Sequence, residues 1–248
     1  MKFMGGFSDT GKKYENQKAL IKELREMEKS PFDYSLKGVC IHHTGFPNLA
    51  MREGGFNERL MGFLKEYYSE EKGWSAAPHL FIDDKRGWGL TPLNNKGVHA
   101  ISFNSEYLGF ELLGNYDKDD DHLSGRGSDV WDMGVLFTAA VLYVKGFEAN
   151  DSSIKFHREC TRTNKTCPGE KVSKSWFIDK VAVELKRLRS FVAEKKETTV
   201  AKSDRLAAVE YQLDSMYREN AYGMDESSRD EFKTRCYHVI WQVKQLLK

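Results

Sequence analysis

The sequence predicts an α/β fold, a mixed β-sheet flanked by helices, with a helical hairpin appended at the C-terminus. Three observations predict it. Apolar residues at helical spacing alternate with short strand-like runs through most of the chain; three strand-like runs follow one another in the middle; and two narrow apolar stripes close the sequence after a charged stretch. Consecutive strands favour antiparallel pairing, whereas strands joined through helices favour parallel pairing, so this order calls for a sheet that contains both.

Taken in order, "YENQKALIKELREMEK" sets Leu20, Ile21, Leu24 and Met27 at helical spacing. "KGVCIHHT" is a short apolar run with polar residues at its end and reads as a buried strand. "FNERLMGFLKEYYSE" lines Phe56, Leu60, Phe63, Leu64 and Tyr67 along one helical face. "APHLFIDD", "GWGLTPL" and "YLGFELLGNY" read as strands separated by Gly and Asp/Asn turns. "SDVWDMGVLFTAAVLYVKG" is a helix with Ser128 as its expected N-cap. "SSIKFHRE" supplies another strand, and "SKSWFIDKVAVELKRLRSFV" a helix with Phe177, Val181, Leu185, Leu188 and Val192 in line. "AEKKETT" reads as a linker. Beyond it, Leu206, Val209, Leu213 and Met216 form one stripe and Phe232, Cys236, Val239, Val243 and Leu246 another, joined by "NAYGMDESS". The expected division is a catalytic domain over 1–195 and a helical appendage over 196–248.

Composition narrows the function. Net charge is +1, so no global field favours nucleic acid or anionic lipid. No apolar run approaches the roughly 18 residues of a membrane span. The N-terminal "MKFMGGFSDTGKKYENQ" has no apolar core of a secretory signal, so synthesis is expected in the cytoplasm. Four cysteines are too few for a disulfide scaffold. Cys40 and Cys236 read as small apolar residues and Cys160 as a free thiol. The appendage, with eight basic and eight acidic residues from Thr199 to Lys248, is electrically neutral.

The chemistry concentrates in "KFHRECTRTNKTCPG". Imidazole and thiolate are zinc ligands, and a catalytic zinc site takes three protein ligands and keeps one corner for solvent. His157 and Cys167 supply two, and "CIHHTG" is the obvious source of a third. Neighbouring side chains of a strand point to opposite faces, so only one of His42 and His43 can face the metal. The acidic loop "DKDDDHLSGRGS" lacks the spacing of a calcium-binding EF-hand and reads as solvated. His79, inside a strand, reads as structural.

From Gly38 to about Val192 the chain resembles the zinc-dependent N-acetylmuramoyl-L-alanine amidases that share a fold with peptidoglycan recognition proteins. The landmarks are "VCIHHTG", "APHLFIDDKRGWGL", "GVHAISFNSEYLGFELLGNYD" and "FHRECTRTNKTCPG", in that order. The resemblance implies a zinc ion held by His42, His157 and Cys167. It implies Lys165 as a catalytic cation and Glu111 as general acid/base. It also implies a substrate groove touched by His99, Asn104 and Thr44, although Asn104 equally suits closing a turn. Some members carry a tyrosine where this chain has Pro78, whose side chain can neither donate nor accept, leaving the proton transfers to Glu111.

The expected reaction is hydrolysis of the amide between N-acetylmuramic acid and L-alanine in peptidoglycan. A phage endolysin, released to the cell wall from the cytoplasm, fits this reading. A cytosolic muropeptide-recycling amidase is the alternative within the same chemistry, and a non-catalytic peptidoglycan-binding module the alternative outside it. The helical hairpin is left to bind wall, a second copy or another protein.

Overall fold

The computed structural model describes residues 6–27, 35–191, 206, 207, 209, 210, 213 and 225–246. The chain divides into two compact units, Met1–Leu188 and Arg189–Lys248. Among its described residues the first contains six strands: β1 (Lys13–Tyr14), β2 (Gly38–His43), β3 (Leu80–Ile82), β4 (Gly87–Gly89), β5 (Tyr107–Leu112) and β6 (Ile154–Phe156). They form one sheet in the order β1-β4-β3-β5-β2-β6. β2 runs parallel to β5 and β6, β3 runs parallel to β5, and β4 is antiparallel to β3 and β1. The sheet is therefore mixed, as expected. β1 went unpredicted, because two residues are too few to show a period.

The helices are α1 (Gln17–Met27), α2 (Glu58–Glu66), α3 (Gly125–Lys145) and α4 (residues 174–191). Asn57 caps α2, its side chain accepting from the Leu60 amide at 2.9 Å. At α3 the cap differs from expectation. The helix opens at Gly125 behind Ser124, and Ser128 lies in its first turn. Tertiary contacts move the start. Arg126 donates to Asp84 and to the carbonyls of Leu49 and Arg52. At Gly127 a Cβ would stand 1.9 Å from the carbonyl oxygen of Asp121, so only glycine lets the loop pass this close.

The two faces of the sheet differ, because strand side chains alternate. Val39 and Ile41 of β2, Leu80 and Ile82 of β3, and Leu108, Phe110 and Leu112 of β5 enter the main core with α1, α3 and α4. Their alternates, Cys40 and His42, Phe81, Gly109 and Glu111, lie on the opposite face. There Phe81 joins a smaller core with Phe56, Leu60 and Met61 around α2.

In the second unit residues 206, 207, 209, 210 and 213 are helical and α5 spans Glu226–Leu246, with Lys244 Nζ 2.9 Å from Glu210 Oε1. Val192, Met216 and the stretch Ala193–Thr199 lie outside the described residues, as does most of the connection over 220–228. No helix among the described residues is long and apolar enough to cross a membrane.

His79 ties the middle of the sheet to a loop. It is fully buried, Nδ1 accepts from the Gly109 amide and Nε2 donates to the Asn95 carbonyl, each at 2.9 Å. Burial pushes its pKa down to about 4. The unfolded chain binds a proton below about pH 6.5 that the folded chain refuses until about pH 4, so stability is full above 6.5 and falls on acidification through that window. The loss is on the order of 3 kcal/mol for this group. In pH-dependent chemical denaturation, His79→Gln should be less stable at pH 7 but should shed about one proton's worth of acid sensitivity between pH 6.5 and 4. An unchanged slope would sink the assignment.

Candidate active site

Register builds the site. β2 sits between two parallel partners, with His42 opposite Glu111 of β5 and Ile41 opposite Phe156 of β6. The residue after Phe156 is His157, which opens a short 3-10 turn, His157–Glu159, at the end of β6. Parallel neighbours therefore deliver His42, Glu111 and His157 to one place on the sheet face opposite the main core.

His42 is 1% exposed and His157 8% exposed. Their Nδ1 atoms lie 2.9 Å apart, and Cys167 Sγ lies 3.9 Å from His42 Nδ1. The protonation pattern follows from one carbonyl. The oxygen of Tyr107 can only accept, so His99 Nε2, 3.0 Å away, carries a hydrogen. Burial and the nearby imidazoles keep His99 neutral, with its pKa pushed down to about 3. His99 Nδ1 therefore accepts, and the group 3.0 Å from it is His42 Nε2, which donates. His42 is left with its Nδ1 lone pair aimed at His157 and Cys167. Burial also drives the pKa of His42 well below the ordinary imidazole value.

Two nitrogen lone pairs 2.9 Å apart repel unless a proton or a cation lies between them. The donor set is two imidazoles and a thiol, which suits zinc, with bonds of about 2.0–2.1 Å to nitrogen and 2.3 Å to sulfur. His42, His157 and Cys167 thus fit such an ion. Cys40, His42 and His99 also approach one another. That grouping is excluded as a ligand set, because His42 Nε2 is already committed to His99.

The loop that carries Cys167 is clamped on both flanks. Asp117 accepts from the Thr166 hydroxyl at 2.7 Å and from the Glu170 amide at 2.8 Å. Arg158 donates through its amide to the Cys167 carbonyl and through its guanidinium to the carbonyls of Gly169 and Val172. The His43 amide lies 3.4 Å from Cys167 Sγ and donates to it. Burial still pushes the thiol's pKa up, with this amide and Lys165 pulling the other way. His43 itself turns from the trio, its Nδ1 accepting from the Tyr116 amide at 3.2 Å. Asp117 and Arg158 escaped sequence reasoning. The only available signal was their place inside the quoted "GNYD" and "FHRE" segments.

Glu111 Oε1 lies 3.8 Å from His42 Nδ1. Desolvation raises the carboxyl to about 8, with Lys165 acting in the opposite direction. Both line a groove of about 1030 Å³ together with His42, His157 and Cys167. Lys165 is exposed. Of the three residues expected to touch substrate, Thr44 and His99 line the groove, and each of the three has side-chain hydrogen bonds within the fold. Both ring nitrogens of His99 are engaged as described. Asn104 Oδ1 accepts from the His99 and Ala100 amides, each at 2.8 Å, closing a turn. Thr44 Oγ1 donates to the Pro47 carbonyl at 2.8 Å and accepts from the Gly114 amide at 3.0 Å. Cys160 is a buried free thiol beside Ser102, and Cys40 is likewise free and buried.

No curated protein sequence matches the chain. Among solved structures, similarity extends to the endolysine N-acetylmuramoyl-L-alanine amidase LysCS from Clostridium intestinale URNW, at 17% identity, covering 61% of this chain and 86% of that one with a TM-score of 0.46. The Staphylococcus aureus hydrolase AmiA, in complex with its ligand, gives 15%, 61%, 73% and 0.46. Drosophila PGRP-LB gives 18%, 56%, 78% and 0.40. The family model described as N-acetylmuramoyl-L-alanine amidase matches residues 32–170. That span exceeds half of the 248 residues and contains all of His42, Glu111, His157, Lys165 and Cys167. The chain belongs to the N-acetylmuramoyl-L-alanine amidase family and is an enzyme of peptidoglycan hydrolysis.

Proposed function

We propose that the protein cleaves the amide between the lactyl group of N-acetylmuramic acid and L-alanine with the help of zinc held by His42, His157 and Cys167. The observation that carries this reading is the convergence of two imidazole nitrogens 2.9 Å apart, a thiol 3.9 Å from one of them and a carboxyl 3.8 Å away on one groove floor. Zinc, when bound, supplies Lewis-acid activation of water and of a carbonyl at neutral pH.

The side chains do the rest. Glu111, raised to about 8, is poised to exchange protons near neutral pH. In its ionised form, which the charge of Lys165 favours, it takes the proton of the attacking water and passes it to the departing amine nitrogen. Lys165 brings a positive charge to the same groove, where negative charge grows on the carbonyl oxygen; one such donor commonly contributes about 2.7–4 kcal/mol. Pro78 lines the groove with no polar side-chain atom, so Glu111 carries the transfers. His99 holds His42 in the tautomer that presents Nδ1 to the ion. We assign the enzyme to cell-wall lysis, with residues 1–195 catalytic and the helices of 196–248 a targeting appendage for the wall.

In metal-replete protein, Glu111→Gln should lower kcat by about 10²–10⁴-fold while zinc content stays at wild type. Mass spectrometry of the digest should show free L-alanine amino termini in the wild-type products. Zinc present with undiminished cleavage by Glu111→Gln would refute the proton-transfer role. Fragments cut elsewhere would refute the bond assignment.

His99→Phe should weaken zinc binding by about 10–100-fold in chelator competition. Nitrogen-15 NMR of the metal-free wild type should report His42 with its hydrogen on Nε2. A hydrogen on Nδ1 contradicts the tautomer chain. Deleting Thr199–Lys248 should weaken lysis of intact sacculi while leaving cleavage of soluble muropeptides largely intact. Equal loss of both makes the appendage a folding element, and preference for soluble muropeptides by the full chain favours a recycling role.

A further inference from the structure

Most arginine side chains in the first unit whose contacts are described have a partner: Arg25 donates to Tyr143, Arg86 to Glu15, Arg126 to Asp84 and Arg158 to loop carbonyls. Arg52 differs. Its Nε is buried and donates to no protein atom. Among the described residues its side chain enters no ion pair or hydrogen bond. Among the described residues four other side chains have a buried polar atom without a hydrogen-bond partner, namely Asp9, Tyr14, Trp131 and Thr138, and none of them lines the groove. Arg52 does.

The backbone beneath it is fixed. The Arg52 amide donates to the Leu49 carbonyl at 3.1 Å, and its carbonyl accepts from the Gly55 amide at 2.9 Å and from Arg126 Nη1 at 2.7 Å. Arg126 is in turn held by Asp84 through Nε and Nη2, at 2.9 and 2.6 Å. A guanidinium set on so firm a base, with a donor already stripped of water and no carboxylate of its own, is complementary to a planar anion that arrives with the substrate. The turn carrying it follows β2 directly, so it stands on the same groove that receives the scissile amide.

We propose that Arg52 is a specificity-determining residue that binds a carboxylate on the peptide portion of the substrate. This rests on the amidase reading, which puts a peptide bearing free carboxylates in the groove. The fork of a guanidinium matches the two oxygens of a carboxylate and not the single oxygen of a carboxamide.

The test compares two probes on full-length, zinc-loaded protein: a muramoyl tripeptide with free carboxylates and its counterpart with every carboxylate converted to carboxamide. Wild type should prefer the free-carboxylate probe by about 10- to 100-fold in kcat/KM, with the difference residing in KM. Arg52→Gln should bring the ratio near one, and Arg52→Lys, which keeps charge but not the fork, should fall between. Thermal melting checks that each variant is folded. Wild type without a preference, or Arg52→Gln with the full preference, overturns the proposal. If wild type cuts neither probe, the amidase reading fails. Calorimetric titration with the free tripeptide and its carboxamide then decides on Arg52 without turnover, the same loss of discrimination supporting the proposal and equal discrimination ending it.

Discussion

The parallel pairing of β2 with β5 on one side and β6 on the other is the constraint on which the rest of the structure depends. It sets Phe81, Glu111 and His42 in one row across three strands, and Leu80, Phe110 and Ile41 in the adjacent row. The second row is buried in the main core with α1, α3 and α4. A slip of one residue in any of these pairings would send Phe110 or Ile41 to the groove and Glu111 or His42 into that core. The apolar row thus fixes the register, and the polar row receives its geometry from it. The reactive groups owe their closeness to a hydrophobic pattern on the face they do not occupy.

That arrangement places an unusual density of titratable groups out of water, and each must be satisfied or neutral. The chain from the Tyr107 carbonyl through His99 to His42 meets this demand without any charge. It needs room as well: a Cβ at Gly109 would stand 2.5 Å from His99 Cγ, so the glycine in "LGFEL" is the gap into which the imidazole fits. Where the chain ends, at the Nδ1 pair and Cys167, the His43 amide reaches the thiol and the two Nδ1 atoms face each other, and this is the end that opens on the groove. Polarity is thus spent inward as far as His99 and left unspent at His42, Glu111, His157 and Cys167. The difference between a satisfied core histidine and a reactive one is here a matter of one ring nitrogen.

Much of this was legible in the chain. Alternation along "VCIHHT" put His42 and His43 on opposite faces, and the family resemblance pointed to His42 and Glu111 as the residues facing the site. Elements with long periods, such as α3 with its succession of buried residues, were readable in type, although its start was set by Arg126 and Gly127 contacts that no local pattern encodes. The same limit explains His99. Its segment marked it as near the site, but whether a ring nitrogen faces a substrate or a carbonyl eight residues along the chain depends on how the turn closed by Asn104 folds back. Asp117 and Arg158 were invisible for a related reason. Their partners lie in the Cys167 loop, up to 53 residues away, and only the folded chain brings them together.

The site also divides its labour by element. His42 and Glu111 stand on central strands and His157 directly follows the last residue of β6, all braced by the main core. The groove wall is built differently, from the turn after β2, from α2 and from the segment through Tyr68 and Trp74, whose rings stack 5.3 Å apart. Strand residues are locked by pairing on both sides, so substitutions there alter chemistry and register together. Residues on the turn and helix are braced through a few side-chain contacts, Arg126 to Asp84 foremost, and can change without disturbing the strands. Variation in what the enzyme recognises should therefore collect between Thr44 and Trp74, while the pairing that aligns His42, Glu111 and His157 admits almost none.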